Sequence, residues 1–331
     1  MRGEKLAEIP QDIRFKEVSP ARQPVGARLA AQPLLATLFI AATATTFAMG
    51  STMIRFAYDA GANTLAVVTV RATVAALGLG LVLLLRRVPL RLSFRECWVA
   101  ILMGVIIAGY TGAMYLSMVY MPIALTVLTF YTYPIFTGLF AWLTGQERFG
   151  LAGALALLLG FLGLVLALDV SRSAFSLTGA FCAIIGALGF TAVLILSAWL
   201  FPKVTDTRPR TFLILLTSSV VCILAVWVSG AIALPIGLLG WTGLLTSSLC
   251  YAVGITGVLF AAAVLGSARV AVVMNVEPIA SLVLTFLILG DRLRPIQLGG
   301  AAFVIIAIFL VASRRAEPVA VTASSAPSGR R

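Results

Sequence analysis

Histidine is absent from this chain. Its absence removes the usual proton shuttle, most zinc sites and every His-dependent catalytic triad. Lysine is nearly absent as well. Lys5, Lys16 and Lys203 are the full complement, and none lies in a Gly-rich phosphate loop, so ATP hydrolysis by this chain is excluded. The four cysteines, Cys97, Cys182, Cys222 and Cys250, are widely spaced and form no CxxC pair; they read as small apolar packers. Charge is scarce: 11% of the 331 residues are Asp, Glu, Lys or Arg, fewer than a water-facing surface demands. No cofactor, metal or enzymatic chemistry is expected.

What the chain has instead is apolar length. Hydrophobic residues make up 61% of it and the mean hydropathy is +1.07, the composition of an integral membrane protein. Apolar runs place helices near 33–56, 63–85, 97–119, 121–143, 150–168, 177–200, 211–232, 238–265, 268–289 and 295–313, each about 20 residues, the length that spans a bilayer. The expected fold class is an all-α membrane protein with ten transmembrane helices. Residues 1–32 hold six Lys/Arg and four Asp/Glu with no apolar core, and 314–331 are similarly poor in anything that packs. Both are expected to be disordered cytoplasmic tails, the first not a signal peptide.

The net charge of +12 reports orientation, not nucleic acid, because its basic residues are dispersed over tails and short loops. Setting aside Arg55 and Arg71 inside helices, an inside N-terminus puts nineteen Lys/Arg in cytoplasmic segments and leaves three outside: Arg172, Arg292 and Arg294. Both termini are therefore expected to be cytoplasmic, in a multi-pass protein of a bacterial-type inner membrane.

The segment PIFTGLFAWLTGQER, Pro134 to Arg148, recurs in outline as PIASLVLTFLILGDR, Pro278 to Arg292, 144 residues later. Offsets near 144 to 146 also pair Thr111-Gly112 with Thr256-Gly257, Gly153 with Gly299 and Thr46 with Thr191. Glu147 and Arg148 fall inside while Asp291 and Arg292 fall outside, so the five-helix unit repeats with opposite orientation, a 5+5 inverted repeat. The boundaries expected are 33–168 and 177–313 for the repeats, with a linker at 169–176. Such halves can open to either side in turn around a site near the midplane, by alternating access.

These segments, with PIQLGGAAFVIIAIFLVASRR and the Gly50–Leu77 stretch carrying Arg55 and Arg71, resemble the EamA-type family of drug/metabolite transporters over roughly 33 to 313. Met49 and Phe190 stand where many members carry Trp, so no aromatic-walled substrate preference carries over. The resemblance implies a ten-helix secondary transporter of the inner membrane, usually an exporter of small metabolites.

Ionisable residues at membrane depth cost at least about 2.5–3.5 kcal/mol unless paired or hydrated. Two qualify, Arg71 and Glu277, each nine residues into its helix and hence about 13 Å deep. They are expected to face a central cavity and either pair with each other or bind the two ends of a zwitterionic substrate; the alternative is a permanent ion pair that only orients its helices. Glu277 is also a candidate to load a coupling proton. Pro134 and Pro278 sit mid-helix and free the carbonyls of Phe130 and Met274, so Tyr131, Tyr133 and Asn275 beside those kinks are candidates to line the site. A soft stripe of Met103, Tyr110, Met114 and Met118, joined by Thr45, Met49 and Thr52, walls a pocket or simply packs helices. Glu147, Arg148, Asp291 and Arg292 read as interfacial anchors or gate salt bridges.

The expected activity is therefore secondary transport of small organic metabolites, first amino acids or related zwitterions, and outward. Uptake, another solute class (drug-like cations, nucleosides, riboflavin-like compounds, metallophores) and a pore-like channel are alternatives. Tyr58-Asp59 and Gly290-Asp291 superficially resemble an intramembrane aspartyl protease, but Ile288 stands where that motif carries its earlier glycine and both pairs lie at helix ends. The partners expected are a small-molecule substrate and the lipid bilayer, with the protein a monomer or homodimer.

Overall fold

A computed structural model describes residues 25–144, 151–168, 175–200, 206–290 and 294–312. Those residues are helical, with no strand among them: α1 Val25–Ala31, α2 Pro33–Asp59, α3 Thr64–Leu85, α4 Phe94–Tyr120, α5 Ile123–Phe130, α6 Tyr133–Leu143, α7 Leu151–Leu168, α8 Leu177–Leu200, α9 Arg208–Ser229, α10 Gly237–Leu265, α11 Ser267–Val273, α12 Val276–Leu289 and α13 Pro295–Ala312. Counting α5/α6 and α11/α12 as one span each, eight segments are long and apolar enough to cross a membrane, and Gly153–Leu168 and Pro295–Leu310 are shorter apolar helices. The protein is a multi-pass membrane protein.

Local chemistry explains the boundaries. Proline at the first position of α2 gives up an N–H that has no helical partner anyway. The α4 helix starts three residues before the apolar run, because Ser93 and Glu96 form a reciprocal capping box that extends it into the polar segment. Gly230 and Gly290 end α9 and α12 at φ of 63° and 75°, left-handed values that a side chain disfavours. Within the stretch expected to be a structureless tail, residues 25–31 form α1, with Gly26 against Val264 and Phe260 of α10.

The two prolines break their helices instead of merely bending them. Residues 131–132 separate α5 from α6 and residues 274–275 separate α11 from α12, so Pro134 and Pro278 each stand in the first turn of a new helix. The Met274 carbonyl does not go unsatisfied: the Glu277 backbone N–H donates to it at 2.9 Å. On the other side, the Tyr133 carbonyl accepts from Thr137 at 2.7 Å and from Thr191 of α8 at 3.2 Å.

The helix contacts are nearly unchanged when the two halves are exchanged. The α2/α10 pair corresponds to α8/α4, α2/α12 to α8/α6, and α3/α10 to α9/α4, while α3/α9 and α7/α13 map onto themselves. Burial then corrects the register of the repeat. Buried Ala36, Ile40, Thr43, Ala44, Ala48 and Gly50 of α2 match buried Gly179, Ala183, Gly186, Ala187, Thr191 and Val193 of α8, an offset of 143. Thr191 thus lies opposite Ala48, not Thr46. In α4 and α10 the offset is 144, since Ala100, Met103 and Gly104 match Leu244, Ser247 and Ser248. An offset of 145 would set buried Gly104 against Leu249, which is 58% exposed. Membrane helices draw on few residue types, so identities alone misplace a register that the buried face determines.

Polar contacts tie helices together at their ends and middles. Glu96 of α4 pairs with the buried Arg210 of α9, Thr73 of α3 hydrogen-bonds Ser219 of α9 at 2.8 Å, and Arg269 of α11 donates to the Pro33 carbonyl of α2 at 2.7 Å. Packing also rests on close backbone approach. A Cβ on Gly300 of α13 would collide with the Gly163 carbonyl and with Ala167 of α7, whereas one on Gly299 would meet nothing within 4 Å. Gly300→Ala is therefore expected to destabilise the protein by about 1–3 kcal/mol, lowering its thermal midpoint in detergent, while Gly299→Ala leaves that midpoint unchanged.

Candidate functional site

The two deep charges come from α3 and α12. Arg71 sits in the second turn of α3, a helix whose start is held by the Asn63 side chain accepting from Ala66 N–H at 2.9 Å. Its guanidinium lies over the ring of Tyr251 of α10, 4.5 Å from the centroid, a cation–π contact worth about 0.5–2 kcal/mol. The Arg71 Nε is buried without a hydrogen-bond partner. Glu277 is in the first turn of α12, where the break at 274–275 presents it to a helix N-terminus, the end that favours a carboxylate.

Arg71 and Glu277 are not ion-paired with each other, nor with any other side chain among the described residues. They are nevertheless neighbours in one electrostatic environment. Glu277 feels Arg71, and Tyr110 of α4 feels both. The Tyr131 hydroxyl faces the Glu277 carboxylate, and Tyr133 lies within its field. On the other side, Arg71 acts on Tyr115, Cys250 and Tyr251. The arrangement runs from a cation flanked by Tyr115 and Tyr251, past Tyr110, to an anion flanked by Tyr131. Arg71, Tyr110, Tyr115, Tyr251 and Glu277 all lie within the bundle yet keep some accessible surface, so they border a space instead of packing solid.

Beside Glu277 the wall is aromatic. Phe190 of α8 meets Tyr133 edge-on with centroids 4.8 Å apart and Tyr110 at 5.5 Å, and Phe130 joins Tyr133 at 5.4 Å. These rings belong to the largest buried cluster, which anchors Tyr131 and Tyr133 firmly.

The other sequence candidates part company with the charges. Asn275 is 3% exposed at the α11/α12 break. Its amide nitrogen is aimed at Gly160 of α7, where a Cβ would come within 2.9 Å, and its Oδ1 has no partner. Met103 is fully buried in a packed cluster, and Met114 lies against Gly186 of α8, so these two members of the stripe pack helices. Met49 is half-buried on α2. Pro134 and Pro278 set the helix breaks. Glu147, Arg148, Asp291 and Arg292 lie outside the described residues.

Tyr251 and Tyr115 were not singled out from sequence. The one available signal was that each is a polar aromatic within an otherwise apolar helix. Two surface grooves, of about 450 Å³ beside Ala31–Leu38 and about 370 Å³ between α6 and α7, are lined largely by apolar side chains and include neither charge.

The profile of the EamA-like transporter family matches residues 34–168 and again residues 177–313. The chain belongs to the EamA-like transporter family. A solved crystal structure superimposes on it with a TM-score of 0.71 at 17% identity, covering 83% of this chain and 97% of its own, a likeness of fold alone. No curated protein matches the chain. Family membership accounts for the duplicated contact pattern, and the two halves differ where the charges sit: at the corrected register Arg71 stands opposite Ile214, while Glu277 stands opposite Tyr133. Each half of this EamA-like transporter supplies one charge that the other lacks.

If Tyr251 supports Arg71 through its ring face, Tyr251→Phe keeps transport near the wild-type level. Tyr251→Leu is expected to raise KM by roughly two- to thirtyfold, the equivalent of a lost cation–π contact, in an uptake or efflux assay at matched membrane expression.

Proposed function

We propose that the protein is a secondary carrier that moves small organic solutes, first amino acids or related zwitterions, outward across a bacterial-type inner membrane by alternating access. In this reading ten helices span the membrane as two inverted five-helix repeats, 33–168 and 177–313, joined by 169–176, and both termini are cytoplasmic. The Lys/Arg asymmetry supports that orientation, and the exchange-invariant helix contacts support the duplication.

The observation that carries the substrate class is the pair of unmatched charges. Arg71 and Glu277 share one environment without forming an ion pair, so each retains capacity for an opposite charge from a ligand. A carboxylate docks on the Arg71 fork and an ammonium docks on Glu277, with Tyr110 between them. Isolated charges at this depth are costly, and a zwitterion offsets both at once. Glu277 serves in addition as the group that takes a coupling proton when the ammonium leaves, since a carboxylate in an apolar site is readily neutralised.

The test compares solutes released into the medium by cells expressing the wild type, Arg71→Ala and Glu277→Gln at matched membrane levels. A zwitterionic solute enriched by the wild type is expected to fall by roughly 10- to 150-fold in each variant, the cost of one charge-assisted hydrogen bond. A solute exported equally by all three would remove the two charges from substrate binding. Proton coupling is read separately: Glu277→Gln is expected to abolish transport driven by a pH gradient in vesicles.

A further inference from the structure

The turn between α3 and α4 is charged where its counterpart between α9 and α10 is not. At the register that sets Arg71 opposite Ile214, residues 87–93, RVPLRLS, stand opposite residues 230–236, GAIALPI. Both stretches begin with a residue in the left-handed conformation, Arg87 at φ 50° and Gly230 at φ 63°. One carries Arg87 and Arg91, with Arg86 and Arg95 at its flanks, and the other carries no charge.

Backbone conformation opposes a side chain at the first of these positions. The α3 helix ends in a Schellman motif, the Val88 N–H donating to the Leu83 carbonyl at 3.0 Å and the Arg87 N–H to the Leu84 carbonyl at 3.1 Å. Glycine fills the left-handed position of that motif without steric cost. Arg87 is the one residue other than glycine with a positive φ among the described residues. A cation at a helix C-terminus complements the helix dipole, but α9 ends without one, and in α3 Arg86 already stands there. Turn geometry and helix termination therefore do not account for the side chain at 87.

Helix packing gathers the four arginines at one end of the bundle. Thr73 of α3 bonds Ser219 of α9 and Gly80 faces Phe212, so α3 and α9 run antiparallel. Glu96 of α4 pairs with Arg210 and Gly104 faces Ile214 and Thr217, so α4 runs parallel to α9. The last turn of α3 and the first turns of α4 and α9 thus meet at one level. The acids described there are already taken, Glu96 by Arg210 and Ser93, and Asp206 by Arg208 at 2.6 Å. Arg86, Arg87, Arg91 and Arg95 are all exposed, and no described side chain pairs with or hydrogen-bonds any of them.

The surface leading away from these cations is apolar. Leu81, Leu84 and Leu85 of α3 are 56–76% exposed, and Phe94, Trp98 and Leu102 form an exposed stripe on α4, with the Phe94 and Trp98 rings edge to face at 6.1 Å. Tryptophan gathers at the level of lipid headgroups, so the arginines stand where phosphate begins. A free phosphate gains nothing from the apolar stripes, whereas a phospholipid uses both parts of the surface.

We propose that Arg86, Arg87, Arg91 and Arg95 form a docking surface for anionic phospholipid, their guanidinium groups holding headgroup phosphates while the acyl chains lie along the apolar faces of α3 and α4. A guanidinium takes a phosphate through two parallel hydrogen bonds, and each cation beside a membrane helix adds about fivefold in affinity for an anionic lipid. In the orientation proposed above the surface faces the cytoplasmic leaflet, but binding requires neither that orientation nor a transported solute.

The experiment uses the purified full chain in a neutral detergent, where insertion no longer matters, and reads bound lipid by native mass spectrometry with phosphatidylglycerol and phosphatidylcholine as probes. The wild type is expected to retain phosphatidylglycerol in preference to phosphatidylcholine, less so as salt is raised. Arg87→Gly removes the charge and suits the turn, so it is expected to weaken phosphatidylglycerol binding by about fivefold with the thermal midpoint unchanged or higher. Glutamine at all four positions is expected to abolish the preference, and Arg55→Gln, at the opposite end of the bundle, to leave it intact.

Equal retention of the two lipids by the wild type, or an undiminished preference in the fourfold variant, would overturn the proposal; the arginines would then serve only to orient the chain during insertion. Displacement of the bound lipid by millimolar inorganic phosphate would overturn the lipid as occupant and make the surface a site for a soluble phosphate. Lipid retention is read without flux, so the proposed transport can fail while this surface stands, and the reverse.

Discussion

Everything in this structure follows from one constraint: inside a bilayer no water is available to satisfy a backbone amide or a charge. The chain answers it with helices throughout its described length, and departs from regular helix where a partner is at hand. At 274–275 the Glu277 N–H reaches the Met274 carbonyl, and at 131–132 the Thr132 N–H reaches the Thr129 carbonyl while Thr191 of α8 donates to the neighbouring Tyr133 carbonyl. The breaks accomplish something a continuous helix cannot. They place helix N-termini mid-bundle, one of them beneath the carboxylate of Glu277.

The same constraint governs the charges. Two of them, Glu96 and Arg210, neutralise each other near one end of the bundle and hold α4 to α9. Arg71 lies over an aromatic face and Glu277 lies beside the Tyr131 hydroxyl, neither with an opposite charge in contact. A permanent ion pair would settle them energetically and leave nothing for a ligand. Partial stabilisation by rings and dipoles keeps the residues folded into place while preserving their capacity to bind. The aromatic cluster of Phe130, Tyr131, Tyr133 and Phe190 gives that arrangement its rigidity.

Pseudo-symmetry supplies the mechanics. In the proposed transport cycle, two halves with a common packing register exchange conformations, each adopting the pose of the other. The halves differ in residue type where the single charges of Arg71 and Glu277 stand, and the proposed substrate class rests on that difference.

Membrane class, most helix positions, family membership and the two deep charges were legible in the sequence, because each depends on local composition or on a residue too costly to place by accident, whereas Pro134 and Pro278 read as kinks and proved to be breaks. Repeat existence was legible too, but not its register: Thr46 and Thr191 are identical in type and differ in face, and identity carries no direction. Burial decided that. The capping box at Ser93 lengthened α4 beyond its apolar run, a signal present in the sequence but outranked by hydropathy. Tertiary structure alone decided that Arg71 rests on Tyr251 from a helix 180 residues away, that Asn275 turns to α7, and that Met103 and Met114 pack helices. These are facts about which faces meet, and in a chain so uniformly apolar every face looks alike until the helices pack.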